Sequence, residues 1–308
     1  MSKSKKPTSS KTKLLFFGNE RIATAVTTAA PTLQALIDAG YEIEAVVASH
    51  VDSISRQKRD LEIGIVAHRH NIPVILLGDK IELIKKVKKH PAEMGVLVAF
   101  GRIIPQGIID LFPKGIINIH PSLLPMYRGS TPLEAAMLNG AIETGVSIMH
   151  LSAEMDAGPV FAQARVSLNG SETKQELADR LSDLGAKTLV KILPAILDGS
   201  ATAKPQDEKT ATYSQILKKE DGILDWAKPA QQLEREVRAY AGWPRSITRL
   251  FGHKIIVTKA RVTKPSAGDE KDKALIMRAD PGWLEITELI APSGRKMSGA
   301  DFLRGYKN

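Results

Sequence analysis

Short apolar runs rich in β-branched residues alternate with amphipathic segments through the first two thirds of the chain. Such runs predict buried strands, and apolar residues at every third or fourth position predict helices. The runs lie at 13–17, 43–48, 74–77, 95–100 and 116–120, and the helical pattern covers 32–39, 59–70 and 79–89. Strands that alternate with helices predict a parallel-rich sheet covered on both faces, so we expect an α/β, Rossmann-like domain.

The pattern changes in the last third of the chain. Two more predicted strands, 146–151 and 160–166, are followed by a long amphipathic helix over 173–197 that ends at Asp198-Gly199. After a polar stretch, a helix at 230–240 precedes short alternating strands at 254–262, 274–279 and 283–290, which favours a small OB-like β-barrel. We therefore divide the chain into a disordered basic arm (1–12), a catalytic domain (13–199), a linker (200–212) and a C-terminal domain (213–308).

Composition narrows the possible chemistry. The 308 residues include no cysteine, which excludes a disulfide framework, a cysteine-based zinc site and a thiol nucleophile. No apolar run approaches the ~18 residues of a membrane span, so we expect a cytoplasmic protein that does not enter the membrane. The net charge of +9 is concentrated in the first 13 residues and in 213–308. That distribution suits a polyanionic partner for the C-terminal third, although a soluble basic surface would have the same composition.

The common nucleotide-binding motifs are missing. Gly18 follows the first predicted strand, but the next residues lack the further glycines of a dinucleotide fingerprint, and there is no Walker A loop. The sequence therefore gives no support to an NAD-binding or ATP-binding function.

Three polar residues form the candidate catalytic site. Asn118 and His120 alternate with isoleucines at the end of a predicted strand, so both side chains point to the same face. Pro121 ends this strand, and Asp156 lies in a turn after the next one. An isolated histidine is more often structural, but an amide, an imidazole and a carboxylate together can stabilise an oxyanion and transfer a proton.

The motifs around these residues resemble those of the folate-dependent formyltransferases. The shared signature is Asn-x-His, then Ser-Leu-Leu-Pro and a later Asp-x-Gly, and it matches Asn118/His120, residues 122–125 and residues 156–158. Segments that resemble the methionyl-tRNA branch of this family are 127–132, 143–149, 218–226 and 238–244. The resemblance extends from about residue 13 to the end of the chain.

The resemblance implies a function and a set of site residues. A formyl group would pass from the co-substrate 10-formyltetrahydrofolate to the α-amine of methionine on initiator tRNA, without a metal. Asn118 and His120 would donate hydrogen bonds to the oxyanion, while Asp156 would hold His120 and take the proton of the amine. The folate would lie near residues 95–102 and the turn formed by Ser122, Leu123, Leu124 and Pro125, whose two leucines could instead be core residues.

The chain departs from the methionyl-tRNA branch at the segment where that branch has a loop that enters the tRNA acceptor arm. That branch usually has a long loop rich in Pro, Gly and Arg after the second strand, whereas residues 49–60 form a shorter segment without proline or glycine. Residues 27–31 also look like an insertion. The lysines and arginines that we expect to contact tRNA are Arg56, Lys58, Arg59, Lys218 and Lys219, although the first three could equally begin a solvated helix.

The sequence leaves two other functions open. The same chemistry would formylate an amino-sugar nucleotide or a glycinamide ribotide, because the Asn118, His120 and Asp156 set is common to all branches of the family. Alternatively, the chain would be a basic RNA-binding module with a non-catalytic Rossmann-like scaffold. We expect a monomer, and the sequence does not indicate how initiator tRNA would be selected.

Overall fold

The computed structural model describes residues 12–48, 61–264 and 274–307, and its first sheet has seven strands. In the order 3-2-1-4-5-6-7, the first five strands are parallel and the last two run antiparallel to their neighbours. The strands are β1 (Lys13–Gly18), β2 (Glu42–Ala48), β3 (Val74–Leu76), β4 (Met94–Val98), β5 (Ile116–His120), β6 (Glu143–His150) and β7 (Val160–Ser167). This is the predicted Rossmann-like arrangement with a parallel-rich sheet.

Helices cover both faces of this sheet. They are α1 (Pro31–Asp38), α2 (Glu62–Arg69), α3 (Lys80–Val87), α4 (Gln106–Ile109), α5 (Pro132–Leu138) and α6 (Lys174–Leu197). Alternate residues of β1 enter two different cores, with Leu14 and Phe16 in one and Leu15 and Phe17 in the other. Burial on both faces explains why the central strands read as continuous apolar runs in the sequence.

The C-terminal part forms a second, antiparallel sheet with its own core. Its elements are α7 (Ala230–Ala239), β8 (Ser246–Leu250), β9 (His253–Thr263), β10 (Leu275–Arg278), β11 (Trp283–Ile290), β12 (Lys296–Ser298) and α8 (Gly299–Tyr306). The strand order is 10-11-9-8, and β12 pairs with β11. Leu233, Ile255, Leu284 and Phe302 lie at the centre of this core. The change to an antiparallel unit follows the predicted fold class, while the exact domain boundaries stay a prediction.

The two units contact each other through helices. Helix α7 packs against α5, and Ala239 and Tyr240 at its end belong to the core of the first sheet. The Lys174 ammonium at the start of α6 donates to the Trp243 carbonyl oxygen at 3.3 Å, and it lies 3.7 Å from the buried Glu134 carboxylate on α5. A buried ion pair therefore lies beside the junction of the two units.

The sequence pattern missed several short elements. Helix α5 has seven residues, five of them buried, so it lacks the apolar stripe that reveals a surface helix. Strand β8 and helices α4 and α8 were also not predicted. Most predicted bounds shift by one to three residues; helix α2, for example, begins at Glu62. The predicted arm lies outside the described residues except for Thr12.

A buried carboxylate caps α1. The two Glu20 carboxylate oxygens accept the N–H groups of Thr32 and Leu33, both at 2.8 Å, in the first turn of the helix. Glu20 is only 1% exposed, and this burial raises its pKa from 4.5 to about 7, although the two hydrogen bonds act in the opposite direction. The cap is therefore sensitive to pH near neutrality.

We expect Glu20 to make the protein less stable as the pH rises. Its folded-state pKa lies above the unfolded value, so its contribution to the free energy of unfolding falls as the pH rises from about 4.5 to above 7, by up to about 3 kcal/mol. The Glu20→Gln variant cannot ionise at this position and so lacks this pH-dependent loss. Its free energy of unfolding minus that of wild type should therefore be larger at pH 8 than at pH 5. Urea unfolding at both pH values measures the difference, and an equal difference at the two would contradict the expectation.

Candidate active site

Asn118 and His120 lie at the end of β5, between β4 and β6. They are 6% and 4% exposed, whereas Ile117 and Ile119 belong to the core on the opposite face. The alternation along β5 thus places both polar side chains on the same face, as the pattern predicts. In sheets of this type ligands bind beyond the carboxyl ends of the parallel strands, which is where these residues lie.

Asp156 reaches the same place from the turn after β6. Its carboxylate Oδ1 accepts from Asn118 Nδ2 at 3.4 Å, and its Oδ2 lies 3.6 Å from His120 Nδ1. The Gly129 N–H also donates to Asp156 Oδ2, at 2.8 Å. The structure therefore brings the three predicted residues together and adds Gly129 to the cluster.

The turn that carries Asp156 has a demanding backbone. Asp156 has φ of 50°, a left-handed conformation that only a few per cent of non-glycine residues adopt. A Cβ atom at Gly158 would lie 1.8 Å from the His150 carbonyl oxygen, so only glycine fits where the turn returns to the sheet. The glycine of the Asp-x-Gly motif is therefore required in this fold because any side chain at that position would collide with the backbone of β6.

His120 has an acceptor next to each ring nitrogen. Its Nε2 lies 2.9 Å from the Tyr127 carbonyl oxygen and donates to it, while Nδ1 faces Asp156. Both ring nitrogens of His120 therefore already face a protein acceptor. In this arrangement the ring points no free N–H at a ligand, so a hydrogen bond from His120 to an oxyanion requires the ring to exchange one partner. The oxyanion role of His120 stays a prediction.

The turn predicted to bind folate is held mainly by internal hydrogen bonds. Ser122 Oγ donates to the Met126 carbonyl oxygen at 2.6 Å, and Ser147 Oγ bridges the Ser122 carbonyl oxygen and the Leu124 N–H. Ser122 and Leu124 are buried, whereas Leu123 and Pro125 are half-buried. Leu124 thus offers little surface to a ligand, and the folate-binding role of all four residues stays a prediction.

Two exposed apolar side chains, one in this turn and one after β4, were not predicted as site residues. Met126 is 44% exposed in the turn, and Ile103, which follows β4, is 89% exposed. Strand β4 neighbours β5, so its carboxyl end opens on the same side of the sheet. The sequence signal that could have identified this position is an apolar residue just after a predicted strand.

Part of the predicted linker lies against the candidate site. Residues 204–214, which we call the strap, pair with β7 at Lys204 and with the loop before α5. Thr212 donates to the Pro125 carbonyl oxygen and accepts the Arg128 N–H, at 3.1 and 2.8 Å. Strap residues Gln206 and Glu208 both bind the Arg128 side chain. Sequence reasoning missed this set because polar residues with few apolar neighbours are typical of a linker.

The residues predicted to contact tRNA are only partly described. Arg56, Lys58 and Arg59 lie outside the described residues, as does the rest of the 49–60 loop. Lys218 and Lys219 are exposed at the start of a short 3₁₀ helix, Lys219–Gly222. Their contact with nucleic acid stays a prediction.

The described ranges contain neither a candidate metal site nor a candidate membrane span. Residues 12–48, 61–264 and 274–307 contain no cluster of three or more His, Asp or Glu side chains that could hold a metal ion. In the same ranges, no helix is long and apolar enough to cross a membrane.

Comparison with known proteins identifies the class that this fold and site define. The model of the Formyl transferase domain matches residues 20–193, and that of the Formyl transferase C-terminal domain matches residues 216–307. The first match contains the whole candidate site except the strap. The second contains the antiparallel unit.

A relative of similar length narrows this class to one family. The chain is 37% identical to the methionyl-tRNA formyltransferase of Chloroflexus aurantiacus, over 95% of this chain and 96% of that protein. It therefore belongs to the methionyl-tRNA formyltransferase family.

Solved structures share the fold at lower identity. The N-formyltransferase from Helicobacter canadensis, solved with folinic acid and dTDP-3-aminofucose, has a TM-score of 0.66 at 19% identity and covers 89% of this chain and 98% of its own. HypX from Aquifex aeolicus has a TM-score of 0.68 at 18% identity over 97% of this chain, which spans only 49% of HypX. At these identities the likeness concerns the fold alone.

Proposed function

We propose that this protein transfers the formyl group of 10-formyltetrahydrofolate to the α-amine of methionine on initiator tRNA, for translation initiation. The observation that carries the proposal is the convergence of Asn118, His120 and Asp156 at the end of β5. The chain that carries this cluster is a member of the methionyl-tRNA formyltransferase family along almost its whole length.

The reaction forms one C–N bond and breaks another. The amine nitrogen attacks the formyl carbon, and the formyl oxygen becomes an oxyanion in a tetrahedral intermediate. The bond between that carbon and N10 of the folate then breaks, and the proton lost by the amine balances the one that N10 gains. Catalysis therefore requires donors for the oxyanion and a group that moves a proton.

The three residues divide these tasks. The Asn118 amide donates to the oxyanion, and His120 joins it when its ring exchanges a partner. Asp156, which already faces the ring and accepts from Gly129, holds His120 and takes the proton of the amine. Asn118 and His120 are buried at the carboxyl end of β5, so the surrounding protein shields both side chains from most of the solvent.

The co-substrates approach from two sides in this proposal. The folate ring lies between the carboxyl end of β4 and the turn of Ser122, Leu123, Leu124 and Pro125, where Ile103 and Met126 add apolar contact area. The acceptor stem of the tRNA lies on the 213–308 domain, and the expected phosphate contacts are Arg56, Lys58, Arg59, Lys218 and Lys219. The catalytic domain is 13–199, and the protein acts as a monomer in the cytoplasm.

An acceptor assay tests the proposed substrate. The protein is incubated with 10-formyltetrahydrofolate and either initiator methionyl-tRNA, elongator methionyl-tRNA or a dTDP-linked amino sugar, and the formylated amine is identified. We expect rapid formylation of the initiator methionyl-tRNA, and none of the same tRNA without its methionine. Formylation of the amino sugar without formylation of any tRNA would overturn the proposal, and folate binding without transfer to any amine would favour the RNA-binding alternative.

A further inference from the structure

We propose that Gln206 and Arg128 are positioning residues that fix the Asp156 carboxylate for formyl transfer, so that the strap is a working part of the active site. The inference rests on the proposed function, because it assigns a task to Asp156 in that reaction. It concerns residues that make no contact with the reacting atoms.

Gln206 binds the backbone of the turn that carries Asp156. Its Nε2 donates to the carbonyl oxygens of Asp156 and Gly158, at 2.8 and 2.7 Å. Its Oε1 accepts from Arg128 Nε at 3.0 Å. Both amide hydrogens and the amide oxygen are therefore used, and the side chain has a single orientation that satisfies all three contacts.

The turn needs this support because its conformation is unfavourable on its own. Asp156 has φ of 50°, and a non-glycine residue held in such a region costs about 1 kcal/mol or more. Two carbonyl oxygens separated by one residue point to the same amide, so Gln206 locks the backbone on both sides of Ala157. The Asp156 carboxylate can then meet Asn118, His120 and Gly129 in a fixed geometry.

Arg128 anchors Gln206 from the other side. It is 1% exposed, and its guanidinium donates to both Glu208 oxygens, at 2.9 and 2.7 Å, and to the Tyr213 hydroxyl at 3.2 Å. These bonds with Glu208 raise the pKa of Arg128 and lower the pKa of Glu208. Because Glu208 and Tyr213 are also strap residues, Arg128 joins the strap to the loop at three points.

Arg128 also lies between two residues that touch the catalytic group directly. The Tyr127 carbonyl oxygen accepts from His120, and the Gly129 N–H donates to Asp156. The strap backbone pairs with this loop on both sides of Arg128, through Thr212 and Ser214. A single network therefore sets the positions of both the imidazole and the carboxylate.

The sharpest test removes the two donors of Gln206 without changing its size. Gln206→Glu keeps an oxygen that accepts from Arg128, but it places a carboxylate oxygen, which also accepts, against the carbonyl oxygens of Asp156 and Gly158. Gln206→Leu removes all three hydrogen bonds. A misplaced catalytic group can cost up to about 100-fold in rate, so we expect kcat to fall about 10- to 100-fold in both variants. KM for the folate and for methionyl-tRNA should stay at the wild-type values, because these contacts act on Asp156 and on neither substrate.

The controls separate positioning from loss of structure. Gln34→Leu makes the same change on α1, where the amide donates to Asp38 of the same helix, and should keep the wild-type kcat. Folate affinity and melting temperature are measured for every variant. If kcat falls with unchanged KM and folate affinity, the positioning role holds.

Three results would overturn it. Wild-type kcat in Gln206→Glu would show that the donors do not matter. A joint change of kcat, KM and folate affinity with a lower melting temperature would indicate a purely structural role. If wild type and Gln34→Leu both fail to formylate methionyl-tRNA, the proposed function is wrong and this inference fails with it. If wild type is active and Gln206→Glu is equally active, only the inference is wrong.

Discussion

Asn118→Ala is expected to lower kcat about 10²- to 10³-fold while the protein stays folded, the usual cost of removing one oxyanion donor. The Asn118 amide is buried at the end of β5. Its hydrogen bond to Asp156 is long, at 3.4 Å, and therefore weak, so the amide N–H remains available to a ligand. Because the oxyanion is absent from the bound substrates and develops only in the tetrahedral intermediate and the transition states that flank it, KM for both substrates should change little. Steady-state kinetics with methionyl-tRNA give both constants.

Asn169→Ala is the matched control for this prediction. Asn169 is exposed in the turn before α6, where its side chain accepts from Ser171. This variant should retain the wild-type kcat. If Asn118→Ala were as active as Asn169→Ala, Asn118 would not be the oxyanion donor; if it failed to bind folate, the loss would belong to binding rather than to catalysis.

Lys174→Met should destabilise the protein by about 3–5 kcal/mol, the usual cost of breaking a buried ion pair. Glu134 is 0% exposed and Lys174 is 2% exposed, with 3.7 Å between the ammonium and the carboxylate. The Thr24 N–H also donates to Glu134 Oε1 at 3.1 Å, whereas Oε2 has no hydrogen-bond partner among the described residues. Without the lysine, a buried carboxylate remains with a single donor.

The loss of stability in Lys174→Met should depend on pH. Burial raises the pKa of Glu134, and Lys174 partly offsets the rise. A raised folded-state pKa means that the ionised carboxylate destabilises the protein as the pH increases, and protonation at lower pH relieves the cost. The penalty of Lys174→Met should therefore be smaller at pH 5 than at pH 8.

Urea unfolding of Lys174→Met and Lys187→Met, at both pH values, measures this effect. Lys187 is exposed on the same helix, so its replacement should change the free energy of unfolding by less than about 0.5 kcal/mol. The double variant Glu134→Leu/Lys174→Met should recover most of the loss, because an apolar pair replaces the ionic one. Equal stabilities of the two single variants would contradict the importance of the pair.

Much of the fold could be predicted from local patterns. The buried runs of β1, β4 and β5 read directly as strands, and the alternation along β5 placed Asn118 and His120 on one face. Helix α5 was not predicted because it is buried on most sides and therefore has no amphipathic pattern in the sequence. Helical periodicity reveals a helix that has one exposed face and one buried face, and it gives no signal for a helix that is buried on most sides.

The candidate site was predictable only in part, for a different reason. Asn118, His120 and Asp156 follow strands whose carboxyl ends meet, so chain topology brings them together. Gln206, Glu208 and Arg128 meet through a contact between residues about 80 positions apart. Nothing local distinguishes such a polar strap from a solvated linker, because its bonds are made to a distant loop.

The most direct measurement follows the formyl carbon itself. Wild-type protein and His120→Asn are mixed with 10-formyltetrahydrofolate labelled in the formyl group and with initiator methionyl-tRNA, and the amino acid released from the tRNA is identified by mass spectrometry. We expect one labelled N-formylmethionine per folate consumed, formed at least about 100-fold more slowly by the variant. Label that remains on the folate, leaves as formate, or reaches methionine equally fast in His120→Asn would contradict it.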